Sequence, residues 1–277
     1  MESLDGRVAF ITGTTRGIGK ELALSLADEG CTIISTGKTS APKDDLPGTI
    51  YRTADEVRER GANAMAIKLD IRDETAVQEA VGEVIAEFGQ IDFLINNAGA
   101  IDMHPVTETP PERFDLLMDV NARGAYTCSH AVLPHMLERG YGHILMSSPP
   151  IKADSAPGKA AYALSKVGMT FIAKSLAEEM RGEGVGVNSI WPVTAIDSQA
   201  TRHFGLGTEA DWRSPQIVAD AVKEILSRDP DECTGNAFYD EEVLREAGVT
   251  DFSPYSVVEG ASPPPLSAQF FDPDYGQ

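Results

Sequence analysis

Short apolar runs alternate with longer amphipathic stretches along most of the chain. The runs are rich in β-branched residues and are too short for helices, so they predict buried strands. These strands cover residues 8–11, 31–36, 64–69, 93–95, 143–146, 186–191 and 236–239. Apolar residues at helical spacing predict helices between them, over residues 20–27, 54–60, 74–88, 111–119, 122–138, 159–180 and 214–226. The alternation predicts an α/β fold of the Rossmann type, in which a doubly wound, mainly parallel sheet carries helices on both faces.

Two segments depart from this alternation. Residues 37–53 predict a long polar loop at the surface, near the edge of the sheet where ligands bind. Residues 252–277 are rich in Pro, Ser and Asp, a composition that favours an extended tail over a second domain. We therefore predict a single Rossmann-fold domain over residues 1–249 and a proline-rich tail over residues 250–277.

The composition narrows the possible functions. A net charge of −20 disfavours binding to nucleic acid or to an anionic membrane. The three cysteines are far apart and the five histidines lack metal-ligand spacing, so we predict neither a metal site nor a disulfide framework. No signal-peptide pattern and no apolar run of about 18 residues is present, which favours a cytoplasmic protein without a membrane span. The acidic run Asp240-Glu241-Glu242 is typical of a solvated face.

The first predicted strand leads into a glycine-rich turn, Thr12-Gly-Thr-Thr-Arg-Gly-Ile-Gly19, and then into a helix. Glycines in such a turn let backbone N–H groups approach a pyrophosphate at the start of the helix. The spacing of Gly13, Gly17 and Gly19 differs from the common dinucleotide fingerprint, and no Gly-Lys-Ser/Thr follows to make a P-loop. By itself the turn is also compatible with a strand–helix connection that binds nothing.

Tyr162 and Lys166 are four residues apart in a predicted helix, so their side chains share one face. A phenol has a pKa near 10, and a nearby positive charge favours its ionised form. Lowering this pKa by about 3 requires ~4 kcal/mol, which Lys166 and a cationic nicotinamide would share. An exposed helix pair without a catalytic role is the alternative for these two residues alone.

Taken together, the motifs resemble the short-chain dehydrogenase/reductase family in their order and approximate spacing. They are the glycine turn, Asn96-Asn-Ala-Gly99, Asn121, Ser148 and Tyr162-x-x-x-Lys166. The resemblance extends from about residue 7 to residue 239. It implies an oxidoreductase that interconverts a carbonyl and a secondary alcohol on a small molecule, and it also implies a homo-oligomer, either a dimer or a tetramer.

Further segments, over residues 36–51, 144–150, 191–196, 234–236 and 270–272, resemble one particular member of this family. Longer forms of that member carry a C-terminal sterol-carrier domain. The present sequence stops before such a domain, so no lipid-carrier function is expected. The likeness also implies an apolar or lipid-like substrate, and Phe204, Leu206 and Trp212 are expected to line its pocket.

The resemblance implies roles for four residues. Tyr162 would donate a proton to a carbonyl during reduction and accept one during oxidation. Lys166 would lower the pKa of this phenol and hold the nicotinamide ribose, and Asn121 would position Lys166 through water. Ser148 would hydrogen-bond to the substrate oxygen. Ser147 is an alternative, because Ser148 is followed by two prolines and precedes Tyr162 by one position more than is usual.

The resemblance also implies which residues bind the cofactor. Asp70 would contact the adenine, although it is also compatible with a helix cap. The family prefers Pro-Gly in the segment that binds the carboxamide, where this chain has Pro192-Val193, so Thr194 or Ser198 would supply the hydroxyl. The full set is Gly13, Thr15, Arg16, Gly17, Ile18, Gly19, Lys38, Asp70, Ile71, Asn97, Ala98, Gly99, Tyr162, Lys166, Pro192 and Thr194.

The charges near the second strand favour NADP(H) as the cofactor. An NAD site usually has an acidic residue about 20 residues past the glycines. This region reads Ser35-Thr-Gly-Lys38 and has no acid, while Arg16 and Lys38 bracket the place expected for a 2′-phosphate. An NAD-dependent dehydrogenase would require both cations to be solvated surface charges. A catalytically weak, dinucleotide-binding regulatory protein is a further alternative, supported by Pro149-Pro150 and the unusual carboxamide segment.

Overall fold

In the computed structural model, which describes residues 2–42, 48–152 and 158–276, seven parallel strands form the central sheet. In chain order the strands are β1 (Val8–Thr12), β2 (Thr32–Gly37), β3 (Ala64–Lys68), β4 (Phe93–Asn96), β5 (Gly142–Ser147), β6 (Val185–Trp191), β7 (Ala195–Ile196), β8 (Trp212–Arg213) and β9 (Ala237–Tyr239). The central sheet has the order β3-β2-β1-β4-β5-β6-β9, and β7 pairs separately with β8.

Helices connect these strands. They are α1 (Gly17–Asp28), α2 (Ile50–Glu59), α3 (Glu74–Phe88), α4 (Pro111–Leu117), α5 (Gly124–Arg139), α6 (Ala160–Glu179), α7 (Gln199–His203), α8 (Gln216–Leu226), α9 (Asp240–Glu246) and α10 (Leu266–Gln269). Short 3₁₀ helices cover Val106–Glu108, Glu209–Asp211 and Ser253–Tyr255.

Two apolar cores pack on opposite faces of the sheet, because successive side chains of a strand point in opposite directions. In β1, Ala9 and Ile11 face a core shared with α1, α8 and α9. Val8 and Phe10 face a second core shared with α3, α5 and α6. A parallel sheet with helices on both faces confirms the predicted Rossmann-type fold.

Two helix boundaries differ from the prediction for local reasons. Helix α2 begins at Ile50 rather than at residue 54, because the Thr49 side chain accepts a hydrogen bond from the Arg52 backbone N–H (3.1 Å) and caps the helix. A π-helical turn, Met118–Arg123, joins α4 to α5 where two separate helices were predicted. Of the predicted polar loop over residues 37–53, residues 43–47 lie outside the described residues.

Residues 264–275, the C-terminal segment, are packed against the domain rather than extended from it. Ala268 and Phe271 are buried in a third apolar cluster together with Tyr162 and Trp191. The expected extended tail is therefore wrong for this part of the chain, because its few apolar residues are concentrated between Leu266 and Phe271. The division of the chain at residue 249 stays a prediction.

Candidate active site

The carboxyl ends of the parallel strands bring the predicted site residues to one edge of the sheet. Gly13 follows β1, Lys38 follows β2, and Asn97 follows β4. From β1 the chain proceeds outward to β2 and β3, and then returns to β4 on the other side. The strand order thus reverses between β1 and β4, which is where a ligand crevice opens in folds of this class.

The glycine turn lies close against the end of β4. Gly13 and Gly17 have φ angles of +76° and +54°, which disfavour residues with a side chain. A Cβ atom on Gly13 would lie 2.9 Å from Ala98 Cα, and one on Gly19 would overlap the Gly13 carbonyl oxygen. The turn therefore needs glycine for its conformation and for the close approach of neighbouring backbone.

Hydrogen bonds lock the glycine turn to Asn97 and Ala98. Thr12 Oγ1 accepts from the backbone N–H groups of Asn97 and Ala98, at 3.0 Å each. The Asn97 side-chain amide donates to the Thr12 carbonyl at 2.9 Å. This rigid, backbone-lined cradle suits a pyrophosphate and ribose, because backbone N–H groups can bind an anion only where no side chain intervenes.

Two cations lie near the ends of β1 and β2, but both have partners. The Lys38 ammonium is 61% exposed and 3.9 Å from a carboxylate oxygen of Asp70. Partial burial lowers the pKa of Arg16, which donates to Gln199 Oε1 at 3.2 Å. The Arg72 guanidinium contacts the Asp70 carboxylate at 2.6 Å and keeps the pKa of that carboxyl below its ordinary value.

Asp70 is not a helix cap. The side chain that caps α3 belongs to Asp73, which accepts a hydrogen bond from the Ala76 backbone N–H at 3.1 Å. Asp70 instead accepts hydrogen bonds from the Arg72 guanidinium and lies near Lys38, so a ligand at the end of β3 would compete with these two cations.

Asn121 and Lys166 are brought together beside Gly99, and Tyr162 lies one helical turn before Lys166 in α6. The Lys166 ammonium donates to the Ser147 carbonyl at 2.8 Å. The Asn121 side chain donates to the Ala100 carbonyl (2.9 Å) and accepts from the Ala100 N–H (2.8 Å). A Cβ atom on Gly99 would lie 3.4 Å from Lys166 Nζ and 3.3 Å from Asn121 Oδ1.

Burial is the cause of the pKa shifts of Tyr162 and Lys166. The Tyr162 side chain is 3% exposed, and its burial raises the pKa of the phenol. Burial also lowers the pKa of Lys166 to about 8. The direction for Tyr162 is opposite to that expected from the Tyr162–Lys166 spacing, because desolvation disfavours the charged phenolate and no attraction to Lys166 lowers the pKa of the phenol. At neutral pH the phenol therefore holds its proton.

The two candidate serines differ in their surroundings. Ser148 is fully buried, and its hydroxyl lies 2.8 Å from Thr170 Oγ1. Thr170 is eight residues beyond Tyr162 in α6, about 12 Å further along the helix axis. Ser147 is less buried, and its carbonyl contacts Lys166. The backbone carbonyl of Ser147 thus contacts Lys166, whereas the hydroxyl of Ser148 is directed to Thr170.

The segment after β6 contains an unpartnered hydroxyl. Thr194 Oγ1 is buried and has no hydrogen-bond partner among the described residues. Ser198, the alternative, caps α7 by accepting from the Thr201 N–H at 3.1 Å. An unsatisfied buried hydroxyl costs about 1–3 kcal/mol, so Thr194 fits a polar ligand group such as a carboxamide. Together with the glycine cradle, it makes this edge compatible with a nicotinamide dinucleotide.

Asp240 was missed by the sequence analysis, which took residues 240–242 for a solvated face. Its side chain is completely buried, and Oδ1 accepts from the N–H groups of Val193 (2.9 Å) and Glu241 (2.8 Å). Burial raises the pKa of this carboxyl to about 7. Glu241 is also buried and pairs with Arg213. Strand β9 ends at Tyr239 and α9 begins directly at Asp240, which carries these acids inward.

The apolar surroundings of Tyr162 also differ from the prediction. The cluster that contains Tyr162 includes Leu117, Trp191, Val193 and Phe271. Phe204, Leu206 and Trp212, the expected pocket lining, are not members of that cluster. Instead, the Trp212 indole donates to the Leu206 carbonyl at 2.6 Å, and the Phe204 ring packs on the His203 ring.

Comparison with known proteins yields a family and near relatives. The family model for short chain dehydrogenases matches residues 7–205. Human hydroxysteroid dehydrogenase-like protein 2 is 40% identical over 275 residues, which cover 98% of this chain and 65% of the human protein. The mouse protein of the same name is 41% identical over 271 residues, covering 97% of this chain and 54% of its own length. The chain thus spans less than two thirds of the length of these relatives. The predicted resemblance to the family and the predicted resemblance to one particular member are both confirmed.

Solved structures give the same grouping. A short chain dehydrogenase from Mycobacterium thermoresistibile, known from a crystal structure, is 40% identical in sequence and has a TM-score of 0.88. The match covers 95% of this chain and 94% of the mycobacterial chain. Two structures at 26% identity cover 86% of this chain. A Mycobacterium paratuberculosis short chain dehydrogenase bound to NAD has a TM-score of 0.73 and is covered to 97%. A metagenomic short-chain oxidoreductase in complex with NADP has a TM-score of 0.72 and is covered to 98%.

In the ranges that the structure describes, no helix combines the length and the apolar character needed to cross a bilayer. Among the same residues, no group of three or more His, Cys, Asp or Glu side chains is arranged to hold a metal ion.

Proposed function

The chain belongs to the short-chain dehydrogenase family of oxidoreductases, and from that premise we propose that it interconverts a carbonyl and a secondary alcohol with NADP(H). The observation that carries the proposal is the position of Lys166 and Asn121 beside Gly99, with Tyr162 buried one helical turn before Lys166. Each of the three side chains is buried, and Asn121 is fixed by backbone hydrogen bonds. Such preorganisation is what a proton donor needs when its target is a single substrate oxygen.

Tyr162 is proposed as the acid in carbonyl reduction. Because burial raises the pKa of its phenol, the side chain holds a proton at neutral pH and can donate it to the oxygen that gains negative charge. The bound dinucleotide supplies the hydride in this direction and accepts it in the other.

Lys166 is proposed to hold the ribose of the cofactor and to stabilise negative charge near Tyr162. Burial lowers the pKa of its ammonium to about 8, so the group is charged at neutral pH. Asn121 holds the backbone at Ala100 and contacts Ser165, one residue before Lys166. Its role is therefore to position the strand end and the helix on either side of the ammonium.

The preference for NADP(H) rests on charge. No acidic residue lies in the described stretch directly after β2, where Lys38 is exposed, and Ser35 and Thr36 within the strand are buried. Arg16 lies at the start of α1, in the turn that would meet the adenosine half of the cofactor. Relatives with NAD and with NADP both occur, so an NAD-dependent enzyme is the competing proposal.

A homo-oligomer is proposed from the surface of α5 and α6. Three large apolar side chains on these helices are strongly exposed: Tyr126 on α5, and Leu164 and Phe171 on α6. Apolar residues gathered on two long helices are typical of a face that another protein covers. A second copy of the chain is the occupant that the family resemblance implies.

The proposed activity is tested by following NADPH and NADH oxidation with a panel of aldehydes, ketones and 3-oxoacyl thioesters. We expect turnover with at least one apolar carbonyl compound. Tyr162→Phe should lower kcat/KM at least about 100-fold, because the transferred proton is lost, and should change the Kd for NADPH far less, because the glycine cradle and Lys166 still hold the cofactor. Cofactor binding without turnover by either protein across the panel would instead favour the regulatory alternative.

The same assay distinguishes the two serines. Ser148 is proposed as the partner of the substrate oxygen, and its contact with Thr170 makes Ser147 the second candidate. We expect at least about a tenfold loss of kcat/KM in only one of Ser147→Ala and Ser148→Ala, the value of one hydrogen bond to developing charge. Equal, small effects of both variants would contradict a serine contact to the substrate.

A further inference from the structure

The C-terminal segment is fixed to the end of β6. The Val193 carbonyl accepts hydrogen bonds from the backbone N–H groups of Ser267 (3.1 Å) and Ala268 (3.0 Å). The Trp191 indole N–H donates to the Ser267 carbonyl at 3.1 Å. These bonds hold α10 against the stretch that leads into the proposed carboxamide site.

A second set of contacts joins the segment to the beginning of α6. The Lys159 ammonium lies 3.8 Å from the centre of the Phe270 ring. The Lys152 ammonium pairs with the Asp272 carboxylate at 3.0 Å. Tyr162 lies in the first turn of α6, so the segment is held on both sides of this residue.

Between these two attachments, the Phe271 ring is inserted beside Tyr162. The ring is 2% exposed, and its centre lies 5.3 Å from the Trp191 ring in an edge-to-face arrangement. The Phe271 and Tyr162 ring centres are 6.2 Å apart. Both distances lie in the range of favourable aromatic pairs.

The Phe271 ring covers one side of the Tyr162 side chain. Tyr162 itself is 3% exposed, so a substrate carbonyl can reach the phenol only past the side chains packed around it. Leu117, Trp191 and Val193 complete an apolar surface around it. A rigid aromatic ring in such a place fixes the volume next to the reacting oxygen, because well-packed walls do not yield to extra atoms without cost.

We propose that Phe271 is a specificity-determining residue, the wall that limits the size of the apolar carbonyl compound able to reach Tyr162. This inference rests on the proposed oxidoreductase function. It adds that the segment beyond the Rossmann sheet selects the substrate. The anchors at Val193 and Lys159 keep the ring in place, so substitution of Phe271 changes the volume without releasing the backbone.

The test compares a one-ring and a two-ring ketone, cyclohexanone and 2-decalone, as substrates with NADPH. We expect Phe271→Ala to raise the ratio of kcat/KM for 2-decalone to that for cyclohexanone at least tenfold, and Phe271→Leu to raise it less. Val258→Ala serves as the control, because Val258 is 40% exposed and lies outside the Tyr162 cluster. An unchanged ratio in a Phe271→Ala protein that binds NADPH normally would overturn the proposal.

A second readout does not depend on turnover. In a Trp212→Phe background, Trp191 is the remaining tryptophan, and its fluorescence reports access of acrylamide to the surface that Phe271 covers. We expect Phe271→Ala to raise the quenching constant at least twofold, and Val258→Ala to leave it unchanged. A quenching constant equal to that of the parent protein would contradict the proposed role of Phe271 as a wall. If the unaltered protein reduces no ketone, the proposed oxidoreductase activity is contradicted. The quenching constants then test by themselves whether Phe271 covers the surface at Trp191.

Discussion

Individual residues at the edge of the sheet have their charges partly balanced by neighbours. Lys38 is paired loosely with Asp70, while Arg16 donates to Gln199 across the crevice. The 3.9 Å separation of Lys38 and Asp70, at a side chain 61% exposed, makes that ion pair weak. Little free energy would therefore be lost if Lys38 left Asp70 to bind a 2′-phosphate.

Lys38→Asp is expected to abolish the preference for NADPH. A charge-assisted contact is worth about 1.5–3 kcal/mol, so the ratio of the NADH and NADPH dissociation constants should fall at least about tenfold. Fluorescence titration with both cofactors measures this ratio. Arg181→Asp, which makes the same change of net charge at an exposed site, is the control. If the preference is unchanged in the Lys38 variant, the NAD-dependent alternative gains.

At the residue scale, the sequence was informative wherever chemistry required a particular side chain at a particular spacing. Tyr162, Lys166 and Asn121 were proposed in this way, and the structure brings Lys166 and Asn121 together beside Gly99. Their roles stay predictions. Asp240 and Phe271 were not found. An aspartate in an acidic run and a phenylalanine in a proline-rich stretch resemble surface residues until the packing of β9 and α10 is known.

Single elements depart from the prediction where side-chain contacts, rather than periodicity, determine the backbone. The apolar runs located the seven strands of the central sheet to within about two residues. A cap at Thr49 lengthened α2, and the π-helical turn before α5 is invisible to a test for a 3.6-residue period. The two residues of β7 and of β8 are too few to form a pattern.

Helix α9 has its first residue, Asp240, buried against the segment after β6, which makes stability depend on pH. Glu241 beside it opposes ionisation of Asp240, and Arg213 favours it. The folded protein retains the Asp240 proton up to about pH 7, whereas an ordinary aspartate releases it near 3.8. This side chain therefore stabilises the fold at low pH, and that contribution is lost as the pH rises through about 7.

Asp240→Asn should remove this dependence, because an amide keeps the acceptor for Val193 and Glu241 but cannot ionise. We expect the variant to match the parent near pH 4 and to exceed its unfolding free energy at pH 8 by up to ~4 kcal/mol, since a pKa difference of one is worth ~1.4 kcal/mol. Urea unfolding at the two pH values measures the difference. Asp115→Asn, at an exposed position, should show none; a variant less stable than the parent at pH 8 would contradict the buried neutral carboxyl.

For the whole molecule, two properties oppose each other in self-association. The apolar face on α5 and α6 favours it, whereas a net charge of −20 on each copy disfavours it. Salt screens the repulsion over about 10 Å at 0.1 M ionic strength and leaves apolar burial intact. The assembly should therefore be most stable at moderate salt.

We expect sedimentation velocity to show an oligomer at 0.2 M NaCl and partial dissociation at 0.01 M. Phe171→Asp should dissociate it at both concentrations, because Phe171 is the most exposed of the three apolar side chains on this face, at 65%. Val106→Asp, an equally exposed apolar position outside α5 and α6, is the matched control. A monomer at both salt concentrations would contradict the proposed oligomer.

The π-helical turn at Met118–Arg123 has a consequence for how this stretch tolerates change. A turn of this kind holds one residue more than an α-helical turn. Deleting any single residue from it would restore α-helical geometry and remove the widened turn, whereas α4 and α5 would keep their relation, because the π-turn already absorbs the extra residue. Asn121 would then lose its register with Ala100, although every remaining side chain would still suit a helix. The stretch is thus constrained in length more than in composition, and a one-residue deletion there is more damaging than most replacements.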